Sequence, residues 1–234
     1  MSCSNLFSAG IYPVLDAEWL QRHLREERWP VHARIRLAMD MEVAGIGVIQ
    51  LRCKNGPEPC RRFIERWIPV LRGEMDRVRV IINDHPALVM EWGADGVHVG
   101  QEDVSVAECR ALLGHERVIG LSTHNRSEIM DSQAMAIDYI GFGPIFSTDT
   151  KPDARPPMGL GGLAMAVAER VRPVVAIGGI QPEHLVDIAA SGAAAAAMIS
   201  GLWGGGGRFL IGQCMRAFAL GREKGVTFGD DEGI

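Results

Sequence analysis

Two aspartates, Asp84 and Asp103, each follow directly on a short apolar run. Residues 78–82 are largely apolar and stop at Asn83-Asp84; residues 96–99 stop at Gly100-Gln101-Glu102-Asp103. If both runs are buried parallel strands lying side by side, their C-terminal ends deliver the two carboxylates to one pocket. Two oxygen-rich groups in that position suit a hard cation such as Mg²⁺, which binds through one or two carboxylates and completes its shell with water and phosphate oxygens. The plainer assignment for the same residues is helix N-caps or solvated loop positions.

Other apolar runs end in polar residues as well. Arg52 and Lys54 follow residues 48–51, and Ser122 and His124 follow 118–121. Thr148, Thr150 and Lys151 stand in the long loop after 139–142, Gly178-Gly179 follow 174–177, and Ser200 closes the run 194–199. Three cations against two carboxylates leave positive charge for an anionic ligand. Gly178-Gly179 ahead of a helix beginning at Pro182 outlines a phosphate site. The glycines let a phosphate approach the backbone, and the helix start supplies N–H groups and the positive end of a dipole. Ser200-Gly201 is the partner position. Arg52 and Lys54 alternate along an extended segment, so both reach a common mouth only if a bulge or turn intervenes; with Lys151 they could clamp a diphosphate. His98 lies inside its run and reads as a satisfied interior residue. His124 is better placed but also fits a helix-capping cluster. Cys53 lies between two cations, which lowers a thiol pKa, yet no base pairs with it.

These positions need a scaffold that brings many strand ends to one face. Eight short apolar strands alternate with helical segments: 11–15, 48–51, 78–82, 96–99, 118–121, 139–142, 174–177 and 194–199. Such alternation predicts a parallel sheet, and eight units predict an α/β (β/α)₈ TIM barrel forming a single domain over 1–234. The motif-bearing core is about 11–221, with a flexible tail over 222–234. No G-x-G-x-x-G turn follows the first strand, as an open doubly wound sheet would have it. Ser105 with Glu108 spells a capping box. Pro69 is expected to kink or end the helix over 59–71. The loop over 143–158 is long enough to be functional. Segment 22–36 and the glycine run 204–207 are harder to place.

Composition sets the outer bounds. The chain has 234 residues, 47% hydrophobic, enough for a full core without disulfides. Its net charge of −5 argues against a nucleic-acid partner bound by bulk charge. Five cysteines, an odd number without metal-type spacing, read as reduced thiols. The N-terminus lacks the pattern of a signal peptide, and no stretch reads as a membrane span. The expectation is a cytoplasmic protein acting on small molecules; oligomeric state is left open.

The motifs, in order and spacing, resemble those of the thiamine phosphate synthase (thiamine-phosphate pyrophosphorylase) family. They are Gln50-Leu51-Arg52-Cys53-Lys54, Asn83-Asp84, residues 96–103 (GVHVGQED), residues 120–124 (GLSTH), residues 141–146 (GFGPIF), Thr148-Asp149-Thr150-Lys151, residues 176–180 (AIGGI) and Ile199-Ser200. The resemblance covers about residues 11–200. It implies a Mg²⁺-dependent transferase of thiamine biosynthesis that joins hydroxymethylpyrimidine diphosphate to a thiazole phosphate and releases pyrophosphate. It further implies that Gln50, Leu51, Arg52, Cys53, Lys54, Asn83, Ser122 and Lys151 bind the pyrimidine diphosphate and that Asp84 and Asp103 hold Mg²⁺. Thr148, Asp149, Thr150, Gly179, Ile199 and Ser200 would hold the thiazole phosphate. The implied chemistry is dissociative: pyrophosphate leaves first, and the thiazole nitrogen attacks a pyrimidine-stabilised cation. Arg52, Lys54, Lys151 and Ser122 then stand as the catalytic set.

That agrees with the residues, which offer no convincing nucleophile or strong general base but do offer charge for a departing diphosphate. The loop over 143–158 would be a lid. Two alternatives share the fold: a thiazole tautomerase using a base such as His124, and a non-catalytic barrel that senses a thiazole phosphate.

Overall fold

The computed structural model describes residues 6–24, 30–148, 155–204 and 208–229. Eight parallel strands close into a barrel in sequence order, the last pairing with the first. They are β1 (Ile11–Asp16), β2 (Val48–Arg52), β3 (Arg79–Asn83), β4 (Gly96–Val99), β5 (Val118–Thr123), β6 (Tyr139–Phe142), β7 (Val174–Ala176) and β8 (Ala195–Met198). All eight predicted strands are present; 96–99 and 139–142 coincide with the prediction, and the ends of the others shift by at most two residues. The (β/α)₈ expectation holds.

Period-two alternation divides each strand between two cores. Ile49 and Leu51 of β2 face outward into the large cluster against the helices, while Val48 faces inward with Tyr12, Ile81, Tyr139, Val175 and Ala195. Phe7, from the segment before β1, joins that inner cluster, its ring edge-on to Tyr139 at 5.1 Å. The barrel interior is thus packed at its foot and polar toward its mouth.

The outer ring comprises α1 (Ala17–Leu24), α2 (Val31–Val43), α3 (Pro57–Glu74), α4 (Pro86–Trp92), α5 (Val106–Leu113), α6 (Arg126–Ser132), α7 (Gly159–Ala168), α8 (Leu185–Ala190), α9 (Ser200–Trp203) and α10 (Arg208–Gly229). The capping box at Ser105 and Glu108 forms as expected. Pro69 does not end α3, which runs through it to Glu74. Phe63, Ile64, Trp67, Ile68 and Leu71 are buried along one face, while Pro69 itself is exposed. Burial of that apolar stripe outweighs the one backbone hydrogen bond a proline cannot donate, and the carbonyl so released lies on the solvent side.

Residues 222–229, at the start of the expected tail, continue α10. Arg222 explains part of this. Its guanidinium donates to the carbonyls of Phe7, Ser8 and Ala194 at 3.1, 3.0 and 2.8 Å, tying α10 to the barrel foot. Residues 230–234, like 25–29 of the hard-to-place segment and 205–207 of the glycine run, lie outside the described residues. Among the described residues no helix is long and apolar enough to cross a membrane.

Candidate active site at the barrel mouth

The C-terminal strand ends surround a cavity of about 620 Å³. Its wall includes Gln50, Arg52, Lys54, Asn83, Asp103, Ser122, Thr148, Gly179, Ile199 and Ser200, so ten of the sequence-predicted site residues meet in one space. Asp149, Thr150 and Lys151 lie outside the described residues.

Leu51 and Cys53 do not bring their side chains to the cavity. Both are packed in the outer core, where the Cys60 thiol donates to the Cys53 carbonyl at 3.1 Å. Strand alternation dictates this, because neighbours of the inward-facing Gln50 and Arg52 must face out. Arg52 and Lys54 both reach the mouth without a bulge or turn, because residues two apart on an extended segment share a face, which corrects the expectation that one must intervene.

The cation surplus read from the sequence is corrected by two acids it did not weigh. Asp16 lies directly across from Arg52 in the β1–β2 register and forms a buried ion pair with it. Glu18 stands 3.8 Å from the same guanidinium and accepts from the Lys54 backbone N–H at 2.7 Å. The Asp16 carboxylate also caps α1 by accepting from Trp19 N–H at 2.7 Å. Arg52 is therefore a positioned guanidinium with its charge largely balanced. Two further cations line the cavity, Arg22 from α1 and Arg155 from the segment before α7. The sequence reading did not include them, since neither stands at a strand end.

Asp84 and Asp103 do converge. Lys54 makes an ion pair with Asp84 and lies 3.8 Å from Asp103. Asp84 has a left-handed backbone, φ 62°, uncommon outside glycine though tolerated by aspartate. Its N–H donates to the His98 carbonyl at 2.9 Å, which pins the end of β3 to β4. Burial, then the nearby Asp103 carboxylate, push the Asp84 pKa above its ordinary value, against the pull of Lys54. Asp103 is itself oriented by Gly100 N–H at 2.8 Å. Among the described residues no group of three His, Cys, Asp or Glu side chains is gathered for a metal. A pair of carboxylates that crowd each other is still the donor set magnesium uses when a substrate supplies the remaining oxygens. The residues fit such an ion. Next to them Asn83 lines the cavity, and its side-chain nitrogen is buried with no hydrogen-bond partner among the described residues.

At the opposite end Gly178 and Gly179 have φ of 88° and 67°. A Cβ on Gly179 would stand 2.3 Å from the Ser147 carbonyl oxygen, so no larger residue fits there. A second cavity of about 290 Å³ opens here, lined by Arg22, Thr148, Gly179, Gln181 and Ser200 among others. The lining offers a small anion the Gly179 backbone, the hydroxyl residues Ser147, Thr148 and Ser200, and one guanidinium.

His124 faces the main cavity and is held by Glu128, whose carboxylate accepts from His124 N–H at 2.8 Å and contacts Nδ1 at 2.9 Å. Burial works against the Glu128 anion, but His124 and Arg155 hold its pKa below the ordinary range. Arg155 contacts the same carboxylate at 2.9 Å. This cluster caps α6 through Asn125, whose side chain accepts from Glu128 N–H at 2.9 Å.

Comparison with known proteins supplies the lineage. The family model described as thiamine monophosphate synthase matches residues 23–202. A thiamine-phosphate synthase from Syntrophomonas wolfei is 40% identical over 198 residues, which is 83% of this chain and 88% of the relative. One from Chloroflexus aurantiacus is 39% identical over 203 residues, 86% and 88% of the two chains. One from Pelotomaculum thermopropionicum is 39% identical over 175 residues, 74% and 78%. Among solved structures, a thiamine phosphate pyrophosphorylase from Pyrococcus furiosus superposes with a TM-score of 0.75 at 24% identity, covering 94% of this chain and 98% of its own. At that identity the superposition speaks for the fold alone. The shared synthase name does not favour the tautomerase or sensor alternatives.

Proposed function

Because the chain belongs to the thiamine monophosphate synthase family, we propose that its barrel mouth joins hydroxymethylpyrimidine diphosphate to thiazole phosphate, yielding thiamine phosphate and pyrophosphate. The observation that carries the assignment of residues is the crowded pair Asp84 and Asp103 bridged by Lys54, with Lys54 and Asp103 lining the same cavity as the glycine-opened backbone at Gly179. The first end suits a diphosphate and the second a monophosphate.

On this reading Asp84 and Asp103 hold Mg²⁺, which when bound supplies positive charge to the diphosphate oxygens. Lys54 and Arg52 add fixed donors, and Asn83 offers the amide N–H that has no partner among the described residues. Lys151 joins them from its loop. These groups neutralise the charge that collects on the departing pyrophosphate, so the carbon–oxygen bond breaks without a protein nucleophile. Gln50 and Ser122, on the cavity wall, bind the aminopyrimidine ring. Thr148, Asp149, Thr150, Gly179, Ile199 and Ser200 place the thiazole phosphate so that its ring nitrogen meets the cationic carbon. Proximity replaces acid–base chemistry. The loop over 143–158 excludes water. The protein works in the cytoplasm.

The test is a coupled assay with both substrates and Mg²⁺, following pyrophosphate and thiamine phosphate together. Equal, metal-dependent appearance of the two supports the reading. No product from folded protein that binds thiazole phosphate overturns it.

A further inference from the structure

A single file of hydrogen bonds crosses the barrel floor from Gln50 to Ser122. Gln50 Nε2 donates to Tyr12 Oη at 3.2 Å, and Tyr12 Oη lies 3.0 Å from Tyr139 Oη. Tyr139 Oη lies 2.9 Å from His98 Nδ1, and His98 Nε2 lies 2.8 Å from Ser122 Oγ. The rings are fixed in place. His98 stacks on Tyr139 at 28° with centroids 5.4 Å apart. A Cβ at Gly120 would stand 2.2 Å from Tyr139 Cζ and 2.5 Å from His98 Nδ1, so that strand is glycine where the file passes.

With the Gln50 amide placed so that Nε2 faces Tyr12, counting hydrogens sets the direction. Burial holds both phenols above their ordinary range, so each keeps its proton. Tyr12 Oη already accepts from Gln50, so its own hydrogen goes to Tyr139. Tyr139 accepts that hydrogen and passes its own to His98 Nδ1. An imidazole that accepts at Nδ1 is neutral and carries its hydrogen on Nε2. It therefore donates to Ser122 Oγ, and the Ser122 hydroxyl is left to donate into the cavity. Turning the Gln50 amide over reverses every bond, and Ser122 would then present an acceptor.

We propose that Tyr12, Tyr139 and His98 are positioning residues that lock Ser122 as a hydrogen-bond donor and Gln50 in one amide orientation, so that the two ends together select the heteroaromatic ring. The preferred ligand class is a ring that presents an unprotonated nitrogen to Ser122. A ring whose amino group is replaced by an oxo group carries a hydrogen on the neighbouring nitrogen and meets donor with donor. This deepens the proposed function, since it rests on Gln50 and Ser122 binding the pyrimidine.

Two measurements test it. Nitrogen-detected NMR of the imidazole in the ligand-free protein needs no turnover, and it should show His98 carrying its hydrogen on Nε2. Hydrogen on Nδ1 would overturn the direction whatever the activity. The second measurement is the ratio of kcat/KM for the amino-pyrimidine diphosphate to that for its oxo analogue in Tyr139→Phe, which keeps the ring and removes the link. The ratio should fall about tenfold, the scale of one buried hydrogen bond, while the KM for thiazole phosphate stays unchanged. An unchanged ratio in active Tyr139→Phe protein, or equal loss toward both substrates, would make the file merely structural. Absence of any turnover in the parent protein would count against the proposed function and leave the NMR result to decide the polarity.

Discussion

Replacing Asp16 by Asn would show how Arg52 is held. The two side chains are 1% and 9% exposed and pair across the β1–β2 register. Removing one partner of a buried ion pair costs roughly 3–5 kcal/mol, because the other charge stays buried without compensation. Glu18, 3.8 Å from Arg52 with 21% side-chain exposure, supplies part of the missing charge. The low end, about 3 kcal/mol, is therefore expected for Asp16→Asn. Asparagine keeps an oxygen for Trp19 N–H, whereas Asp16→Ala removes that cap too and should cost about 1 kcal/mol more. With a urea slope of about 3 kcal/mol per molar, the midpoint for Asp16→Asn should fall by about 1 M. Arg52→Met added to Asp16→Asn should recover much of the loss, since it removes the buried guanidinium left without its counter-charge. An Asp16→Asn stability within about 0.5 kcal/mol of the parent, or a double variant no better than the sum of the singles, would refute the buried-pair argument.

Four other outcomes are expected at the site. Asp84→Ala or Asp103→Ala should abolish the Mg²⁺ dependence of turnover with the fold intact by circular dichroism; full activity in both would end the metal assignment. Asp84 has its pKa raised in the folded protein, so between its ordinary value of 3.8 and the raised one it binds a proton the unfolded chain lacks. Stability from this group falls as pH rises through that window. Magnesium must displace the same proton, so calorimetric Mg²⁺ affinity should weaken on acidification from above the ordinary carboxylate range; affinity unchanged down to about pH 4 would contradict this. Gly179→Ala should raise the KM for thiazole phosphate at least tenfold with kcat less affected, because its φ of 67° and the Ser147 carbonyl at 2.3 Å leave no room for a methyl group. Lys151→Ala should weaken diphosphate binding or slow its departure, and unchanged kinetics would make Lys151 a rim charge.

The barrel was legible because each strand is a short buried run closed by polar residues. The convergence of Asp84 and Asp103 was legible for the same reason: β3 and β4 are adjacent, and both residues follow their strands. What escaped was pairing between strands. Asp16 stands at the end of β1 as plainly as Arg52 stands at the end of β2, and aligning those two ends would have found the ion pair. Tyr12 and Tyr139 looked like ordinary core residues, and His98 like a satisfied one, because a file of hydrogen bonds crossing the barrel leaves no spacing in the chain. Arg22 and Arg155 reach the cavity from a helix and a loop, where periodicity says nothing about direction. Pro69 shows the opposite limit. A local rule against helix was overridden by an apolar face visible in the same eighteen residues.

The glycine-lined floor has a consequence for how such a barrel can change its diet. Gly96, Gly120 and Gly143 each leave a Cβ within 2.2 Å of a neighbouring atom. Even alanine at any of these positions would displace backbone or one of the file's rings. New ligand preferences therefore have little room to arise from below. They can arise at the rim, where Glu18, Arg22, Thr148 and Arg155 come from helix ends and loops. On the proposed reading, the barrel has little freedom in how it reads the first ring and more in how it grips the second reactant.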